Sequence, residues 1–228
     1  MHIQTRDAVS MLDRHFAVEI ADTRETLREA LRLRHQVFCL ERKILPGPAE
    51  ARLETDEFDG NSHHVLLRHR PSGEVVGTAR LVRGTCVEGR VTGLPMLRYC
   101  APDLLSGLPI ATTAEISRFA LSKTRRHTGE ISDRLLRYGI MRGILGLSLE
   151  LGLTHWCALM EAPLLRLLRA AGIGFVPLGP AVQAYGLRQP SAASISRVMA
   201  DGSHRCPELY RFVAGARLLI PPRVLNAA

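Results

Sequence analysis

Aromatic residues are scarce in this chain, which limits the ligands that we expect it to bind. Phe, Tyr and Trp make up 5% of 228 residues, too few to predict a surface on which single-stranded bases stack. No apolar run is long enough to cross a bilayer, and the first residues lack the apolar stretch of a signal peptide. We therefore expect a cytoplasmic protein that binds no nucleic acid. Any membrane contact is expected to be peripheral and made by the reaction product, not by the protein.

Cysteine is also sparse, and its spacing excludes two kinds of site. The chain has five cysteines, an odd number without a Cys-x-x-Cys pair, which argues against a disulfide framework and against zinc. Free thiols in a reducing compartment are the prediction. Because Cys39, Cys86, Cys100 and Cys157 lack an adjacent His–acid signature and no Gly-x-Ser-x-Gly motif occurs, we predict no covalent intermediate on the enzyme.

The chain is rich in apolar residues and in positive charge. Hydrophobic residues make up 46% of the sequence, the formal net charge is +8 and the isoelectric point is about 9.8. This composition predicts a folded domain with a substantial core, and a basic surface favours an acidic partner. Nucleic acid, an anionic membrane and an acidic carrier protein all satisfy that condition, and charge alone does not choose among them.

The pattern of apolar residues and turn signals predicts a mixed α/β fold. A helix is expected after the capping pair Asp22-Thr23, and the turn Pro71-Ser72-Gly73 predicts a β-hairpin. The predicted elements are a helix at 24–37, strands at 63–68, 74–82 and 113–121, a helix at 131–151, a strand at 154–160, a helix at 163–171, a strand at 174–178 and a short helix at 207–218.

Charged residues gather in three short clusters. Taken singly, each cluster has an ordinary explanation: Glu115 pairs with Arg34 or Arg80 in a structural ion pair, and the two aspartates of the second cluster bind a cation or an ammonium group, or only decorate a loop. A metal would need more ligands than this region offers, so no metal site is predicted. The clusters are Arg34–Phe38 with Glu41, Glu54–Asp59 with Arg80, and Glu115–Phe119.

Together the clusters form an ordered series of motifs: Arg-x-x-Val-Phe, Glu-x-Asp-x-Phe-Asp, Gly-x-Ala-Arg-Leu and Glu-x-Ser-Arg-Phe. Residues 24–186, which carry them, resemble the acyl-homoserine lactone (autoinducer) synthases and their relatives, the N-acyl amino acid synthases and exosortase-associated acyltransferases. The resemblance implies a GNAT-like α/β fold, with a mixed, mostly antiparallel central sheet flanked by helices. It divides the chain into an N-terminal arm (1–20), an acyltransferase domain (21–190) and a C-terminal helical extension (191–228).

The resemblance also implies a polar cluster beside an amine site. In the autoinducer synthases such residues interlock there, and Phe119 closes the last motif as a further substrate-binding residue. One departure is Ile44, which stands where those synthases carry a tryptophan near the adenine of adenosylmethionine. The stretch Ile173–Pro190 looks more like the N-acyl amino acid and exosortase-linked branch. The positions that match are Arg34, Phe38, Asp56, Asp59, Arg80, Glu115 and Arg118.

An amine that attacks a thioester needs a base, an oxyanion stabiliser and alignment. Glu115 is the candidate base, and Ser117 is a candidate donor to the oxyanion; Arg118 completes the predicted catalytic set. Ordinary GNAT enzymes hold the pyrophosphate of coenzyme A with the pattern Arg/Gln-x-x-Gly-x-Gly/Ala, of which this chain has half. We predict that this basic loop binds the single phosphate of carrier-bound phosphopantetheine, with a solvated loop as the alternative: Lys123, Arg125, Arg126 and Gly129.

Two further features complete the sequence-based hypothesis. Basic residues on the helix at 131–151 are candidates for docking a carrier protein, or form a solvated face, and late apolar residues are candidates for an acyl slot, or ordinary core. The former are Arg134, Arg137 and Arg142, and the latter are Trp156, Leu159, Met160, Leu164, Leu168 and Phe175.

The leading prediction is an N-acyl amino acid synthase that uses acyl carrier protein as donor and an amino acid as acceptor, without a tightly bound cofactor. Two alternatives remain open at this stage. One is an acyl-homoserine lactone synthase that uses adenosylmethionine, and the other is a non-catalytic GNAT-like binding module.

Overall fold

A computed structural model describes residues 10–46, 52–124, 131–205 and 207–214. Residues 10–15 are helical, and a π-helical turn, Gln36–Glu41, directly follows the first long helix. The helices are α1 (Arg24–His35), α2 (Asp133–Glu150), α3 (Ala162–Ala170), α4 (Ile195–Arg205) and α5 (Pro207–Ala214). The strands are β1 (Phe16–Ile20), β2 (Ser62–His69), β3 (Val75–Arg83), β4 (Thr85–Val87), β5 (Arg90–Thr92), β6 (Thr113–Leu121), β7 (His155–Met160), β8 (Val176–Pro177), β9 (Val182–Gln183) and β10 (Leu187–Ser194).

Eight strands form one mixed sheet in the order β1-β2-β3-β6-β7-β10-β8, with β9 paired to β10. All neighbours run antiparallel except β6 and β7, which are parallel. Strands β4 and β5 form a separate hairpin. The predicted fold class, a mostly antiparallel α/β sheet flanked by helices, is confirmed.

The N-terminal segment corrects one boundary of the sequence analysis. Residues 1–20 were expected to form an arm, but Phe16–Ile20 pairs with β2 as an edge strand, Phe16 opposite His69. Leu12, Phe16 and Ile20 are buried in the main core. This strand has only five residues, which is too short for a clear pattern of alternation. Its buried residues are explained by their packing against α2 in the folded protein.

The C-terminal segment also differs from the prediction. Leu187–Ser194 is a central strand between β7 and β8, although it contains Pro190, whose missing N–H is unfavourable in such a strand. Helix α4 was not predicted, whereas the short helix expected near 207–218 is present as Pro207–Ala214. The extension at 191–228 is therefore part strand and part helix over its described length.

Helix α1 begins where its sequence signals place it. The Thr23 hydroxyl accepts a hydrogen bond from the Thr26 amide at 3.1 Å, and the Thr26 hydroxyl accepts one from the Thr23 amide at 3.1 Å. This reciprocal cap satisfies two amides that a helix N-terminus would otherwise leave unpaired. The helix and the π-helical turn after it carry Leu33, Val37 and Phe38 into a small apolar cluster with Ala120 of β6.

Helix α2 packs closely against strands β1 and β2 of the sheet. A Cβ atom added at Gly143 would lie 2.2 Å from Cγ1 of Val65 and 2.6 Å from Cγ1 of Val18. The absence of a side chain at this position lets the helix approach β1 and β2 closely enough to bury its apolar side in the main core, as close packing requires. None of the described helices combines the length and the apolar character that a membrane span needs.

We predict that Gly143→Ala lowers the stability of the protein, although alanine is the better helix former. The new methyl group must displace two valines, and overpacking of this kind costs about 1–3 kcal/mol. The measurement is thermal unfolding, with Gly60→Ala as the control because nothing lies within 4 Å of a Cβ at that position. A midpoint for Gly143→Ala at or above that of the wild type would contradict the close approach of α2.

Candidate active site

The two parallel strands at the centre of the sheet separate part-way along their length. Strands β6 and β7 pair at only three positions, the last of which places Glu115 opposite Cys157. Beyond this point β6 remains paired with β3, and β7 remains paired with β10. A gap therefore opens between two well-supported strands, and the two backbone edges that face it are not paired with each other.

Strand β6 bends where the gap opens. Ala79 of β3 lies opposite both Arg118 and Phe119, which is the pattern of a β-bulge and redirects side chains locally. Arg118 has φ of +51°, a left-handed conformation that L-residues rarely adopt. Because such strain costs on the order of 1–3 kcal/mol, the contacts of this side chain must compensate for it.

Arg34 of α1 begins a buried network of charges. Its side chain has no solvent exposure, and its Nε donates to Oε2 of Glu54 at 2.5 Å. Its two Nη atoms donate to the two carboxylate oxygens of Asp59, at 2.5 and 3.2 Å. This forked geometry matches the planar guanidinium to two carboxylates at once.

Arg80 of β3 extends the network toward the gap. Its Nη1 donates to Oδ1 of Asp59 at 2.6 Å, and its Nη2 donates to Oδ2 of Asp56 at 2.9 Å. Its Nε donates to Oγ of Ser117 at 3.1 Å. Arg80 has no solvent exposure, so these bonds replace the water that the charge has lost.

Arg118 of β6 completes the network despite its strained backbone. Its Nη2 donates to Oε1 of Glu54 and to Oδ2 of Asp56, each at 2.9 Å, and its Nε donates to Oε2 of Glu54 at 3.0 Å. Its guanidinium carbon also lies 5.8 Å from the centre of the Phe38 ring, within the range of a cation–π contact. These contacts hold the bulge in place.

Within the described residues, the network balances three positive and three negative charges. Burial by itself would raise the pKa of Asp59, but the hydrogen bond and charge of Arg34 lower it to about 2. The pKa values of Glu54 and Asp56 are also lowered, because their arginine partners outweigh burial. All three carboxylates are therefore ionised at neutral pH. The network consists of Arg34, Arg80, Arg118, Glu54, Asp56 and Asp59.

Glu115 is the last residue of β6 that pairs with β7, and the pKa of its carboxyl group is shifted in the opposite direction from those of the network. Its side chain is buried, and its Oε2 accepts a hydrogen bond from the Met96 amide at 2.7 Å. No ion pair joins Glu115 to any residue in the described ranges, so burial raises its pKa to about 8 in spite of that bond. This carboxyl group is mostly protonated at neutral pH and ionises just above it.

A cavity of about 430 Å³ occupies the gap and contains both polar and apolar surface. Along β7, Ala158 and Met160 belong to the main core beside α2 and α3, whereas Leu159 packs toward the cluster around Met96 on the other face. All three line the cavity, so it passes through the sheet. Its polar side includes Glu115, Ser117, Arg118, Tyr99 and Tyr185, and its apolar side includes Ile116, Leu164, Leu168 and Phe175.

Comparison with known proteins agrees with this geometry. Residues 33–135, which include the network, Glu115 and the bulge, match the family model described as an acetyltransferase (GNAT) domain. The predicted enzyme class, an acyltransferase, is confirmed by this match. No curated protein matches the chain.

Several solved structures share the fold of most of the chain. The acyl-homoserine lactone synthase LasI is 20% identical, with a TM-score of 0.62, covering 92% of this chain and 99% of its own. The coenzyme A-dependent acyl-homoserine lactone synthase MesI is 21% identical, with a TM-score of 0.62 and coverage of 87% and 95%. FeeM, an N-acyl amino acid synthase from uncultured soil microbes, is 14% identical, with a TM-score of 0.57 and coverage of 82% and 93%. At these identities the likeness establishes the fold, as the sequence motifs predicted.

The part of the chain that matches this family model brings together most of the residues singled out from the motifs. Arg34, Asp56, Asp59, Arg80 and Arg118 share one network. Phe38 lies beneath Arg118, and Ser117 and Phe119 line the cavity. One alternative is wrong: Glu115 does not pair with Arg34 or Arg80, because carboxylates of the 54–59 loop occupy both arginines.

The loop after β6 was predicted to hold a phosphate, and only its beginning is described. The Lys123 amide donates to Oε2 of Glu41 at 2.9 Å, and the Ser122 hydroxyl donates to Oε1 of Glu41 at 2.7 Å. The Glu41 carboxylate thus caps the first residues of the loop. The other predicted phosphate ligands, Arg125, Arg126 and Gly129, lie outside the described residues, so their role stays a prediction.

The helix residues proposed for carrier docking have partners within the domain. Arg134 donates to the Tyr138 hydroxyl at 2.9 Å, and Arg142 forms an ion pair with Asp13. Arg137 lines the cavity and lies 3.9 Å from Asp133. A docking role for these residues stays a prediction.

The predicted acyl slot agrees with the cavity at five of six positions. Leu159, Met160, Leu164, Leu168 and Phe175 line it. Trp156 does not: it is fully buried, its Nε1 donates to Oγ of Ser148 at 2.8 Å, and its ring stacks on Phe175. Trp156 therefore packs behind the cavity wall through Phe175, and Ser148 gives its indole N–H the partner that a buried donor needs.

Four of the five cysteines lie within the described residues. The four described cysteines are free thiols, and burial, with Glu115 as a further cause, raises the pKa of Cys157 and Cys100. Neither thiol is poised as a thiolate nucleophile. Cys206 lies outside the described residues, and within those residues no group of three His, Cys, Asp or Glu side chains is placed to hold a metal.

Sequence reasoning missed some residues of the site. Glu54 is the first residue of the motif Glu-x-Asp-x-Phe-Asp and joins Arg34 to Arg118, but it was not among the positions matched to the polar cluster. Tyr99 and Tyr185 meet edge to face over the cavity, with ring centres 5.8 Å apart. They come from segments 86 positions apart, so sequence spacing carries no signal for them.

We predict that Glu115→Gln increases the stability of the protein at pH 8 more than at pH 5. The folded pKa of Glu115 is raised, so between its ordinary value of 4.5 and about 8 the folded state holds a proton that the unfolded state releases. The stabilising effect of that proton is complete at low pH and is lost as the pH rises through 8. Glutamine accepts the Met96 bond without titrating and avoids this loss.

The measurement is the thermal midpoint of both proteins from pH 5 to pH 8.5. The control is Glu150→Gln, which removes the same charge at the exposed C-terminal end of α2; at pH 8 the gain in midpoint should be larger for Glu115→Gln than for this control. A gap between Glu115→Gln and wild type that does not widen with pH would show that Glu115 is already ionised in the folded protein.

Proposed function

We propose that this chain transfers a fatty acyl group from acyl carrier protein to the amine of an amino acid. The observation that carries the proposal is the position of Glu115, a buried carboxyl group without a counter-ion among the described residues, at the point where β6 and β7 separate. A base of this kind suits an amine that must lose a proton as it attacks a thioester. The apolar side of the cavity suits an acyl chain.

The residues around the gap supply each part of this reaction. The amine nitrogen attacks the thioester carbonyl and forms the C–N bond while the ionised form of Glu115 takes its proton. The C–S bond then breaks, and the departing sulfur takes that proton from Glu115 to become the thiol. The Ser117 hydroxyl can donate to the developing oxyanion because Arg80 donates to its oxygen. Backbone amides on the unpaired strand edges are further donors.

An amino acid fits the acceptor side better than adenosylmethionine does. Ile44 lines the cavity at the position where the similar autoinducer synthases carry a tryptophan, so the aromatic surface for an adenine is missing there. The similar structures include both acyl-homoserine lactone synthases and an N-acyl amino acid synthase. The acceptor therefore has to be identified by its product.

The donor assignment rests on charge and on the incomplete coenzyme A pattern. The net charge of +8 favours an acidic carrier protein, and Ile131 replaces the second small residue of the usual pyrophosphate loop. MesI, one of the similar structures, is coenzyme A-dependent. Both donors consequently belong in the test.

We predict that a mass-spectrometric screen will detect an N-acyl amino acid. Purified protein is incubated with medium- and long-chain acyl carrier protein, or with the same acyl groups on coenzyme A, and then with pooled amino acids or with adenosylmethionine. An acyl-homoserine lactone would replace the proposed acceptor by adenosylmethionine. The absence of a product from every pool with folded protein would reject both acceptors.

We also predict that Glu115→Gln lowers turnover by a factor on the order of 100, the usual scale for loss of a general base. Since the wild-type pKa of Glu115 is about 8, the wild-type rate should rise with pH toward 8. Both proteins are assayed with the same acceptor, so the titration of its amine affects both rates equally. The ratio of the wild-type rate to the variant rate should therefore rise with pH toward 8. Glu150→Gln is again the control, and full activity of Glu115→Gln would remove Glu115 from the mechanism.

A further inference from the structure

Two arginines share one carboxylate on the wall of the cavity. Oε1 of Glu161 accepts a hydrogen bond from Nη1 of Arg188 at 2.5 Å and another from Arg42. The Arg188 side chain is only 12% exposed and that of Arg42 is 36% exposed. One negative charge thus faces two positive charges in a partly desolvated place, and the balance is a net positive charge that no group of this cluster neutralises.

The two guanidinium groups retain unused donors. A guanidinium has five N–H groups; in the described part of the chain Arg188 gives two of its nitrogens to protein acceptors, Glu161 and the Tyr185 carbonyl at 3.0 Å, and Arg42 gives one. Both side chains line the cavity. An oxyanion there would find donors already oriented by Glu161.

The N-terminus of helix α3 adds positive potential at the same place. Glu161 is the N-cap residue of this nine-residue helix, but its side chain is turned to the arginines and makes no capping bond. Pro163 and Leu164 of the first turn line the cavity. An uncapped helix N-terminus carries partial positive charge and favours an anion.

The other charges on the cavity wall do not cancel this potential. Arg118 is neutralised by Glu54 and Asp56, and Glu115 is mostly protonated at neutral pH. Arg137, on the same wall, adds positive charge beside Asp133, 3.9 Å away. Positive charge therefore concentrates around Arg42 and Arg188, beside the N-terminus of α3. This place is distinct from the loop after β6, which was predicted to bind a phosphate.

We propose that Arg42, Arg188 and the first turn of α3 form a binding site for the anionic group of a substrate. The proposal rests on the proposed function, in which each substrate carries one such group. The donor contributes the phosphate of phosphopantetheine, and the acceptor contributes the carboxylate of the amino acid. Both are oxyanions that a pair of guanidiniums binds through charge-assisted hydrogen bonds.

The test measures binding rather than turnover and uses two matched pairs of probes. Titration calorimetry compares 4′-phosphopantetheine with pantetheine, which lacks the phosphate, and N-dodecanoylglycine with its methyl ester, which lacks the carboxylate. The proteins are the wild type and Arg188→Met. Arg169→Met is the control, because Arg169 is exposed on α3 and does not line the cavity.

We expect wild type to prefer the charged member of at least one pair, and Arg188→Met to bind that member at least 10-fold more weakly, the scale of one charge-assisted hydrogen bond. The uncharged member should bind both proteins alike, and Arg169→Met should match wild type. A loss confined to the phosphate pair assigns the site to the donor, and a loss confined to the carboxylate pair assigns it to the acceptor.

Three results would overturn the proposal: no preference of wild type for either charged probe, equal losses for charged and uncharged probes, or unchanged binding in Arg188→Met. If Arg188→Met fails to fold, Arg42→Met replaces it, because Arg42 is the more exposed partner. Charge-dependent binding in a protein that makes no product would retain this site and reject the proposed function, so the two failures are distinguishable.

Discussion

The buried network of three arginines and three carboxylates is the interaction on which the site depends. Removing one member of such a network leaves a buried charge without its partner, which costs about 3–5 kcal/mol, so its members are strongly coupled. They come from α1, the 54–59 loop, β3 and β6. The network therefore positions four segments of the chain relative to one another. It also holds Arg118 at a φ that its backbone alone would not keep, and with it the bulge at which β6 leaves β7.

The same network explains why Glu115 differs from every other acid in the site. Three positions separate Glu115 from Arg118 on one strand, yet the arginines give their hydrogen bonds to Glu54, Asp56 and Asp59. A carboxylate paired with one of them would have a low pKa and would be a weak base. Because the loop acids occupy the arginines, burial dominates at Glu115 and raises its pKa to about 8. Two classes of carboxylate, one permanently charged and one able to exchange a proton near neutral pH, are thus built side by side.

Much of this arrangement was predictable from the sequence, and the remainder has definite physical causes. Strand β6 was predicted residue for residue and α1 to within two residues, because alternation and capping are local signals. Strands β1 and β10 escaped, since one is short and the other contains a proline that only its neighbours make acceptable. The partners of Arg34 could not be chosen in advance, because the four acids of one loop were equally suitable. The pair Arg42 and Arg188 was invisible for a similar reason: 146 positions separate them, and only the fold brings both to Glu161.

The distribution of charge also bears on how an amine would be activated under the proposed function. An amino acid enters as an ammonium ion with a carboxylate. Positive charge around Arg42 and Arg188 favours the carboxylate but disfavours an ammonium nearby, so it lowers the pKa of the amine. A neutral amine is the nucleophile that the reaction needs, and its remaining surplus proton passes to Glu115 as the C–N bond forms. The same positive potential would thus select the acceptor by its carboxylate and favour the neutral form of its amine. Glu115 would then need only a pKa near the pH at which the enzyme works.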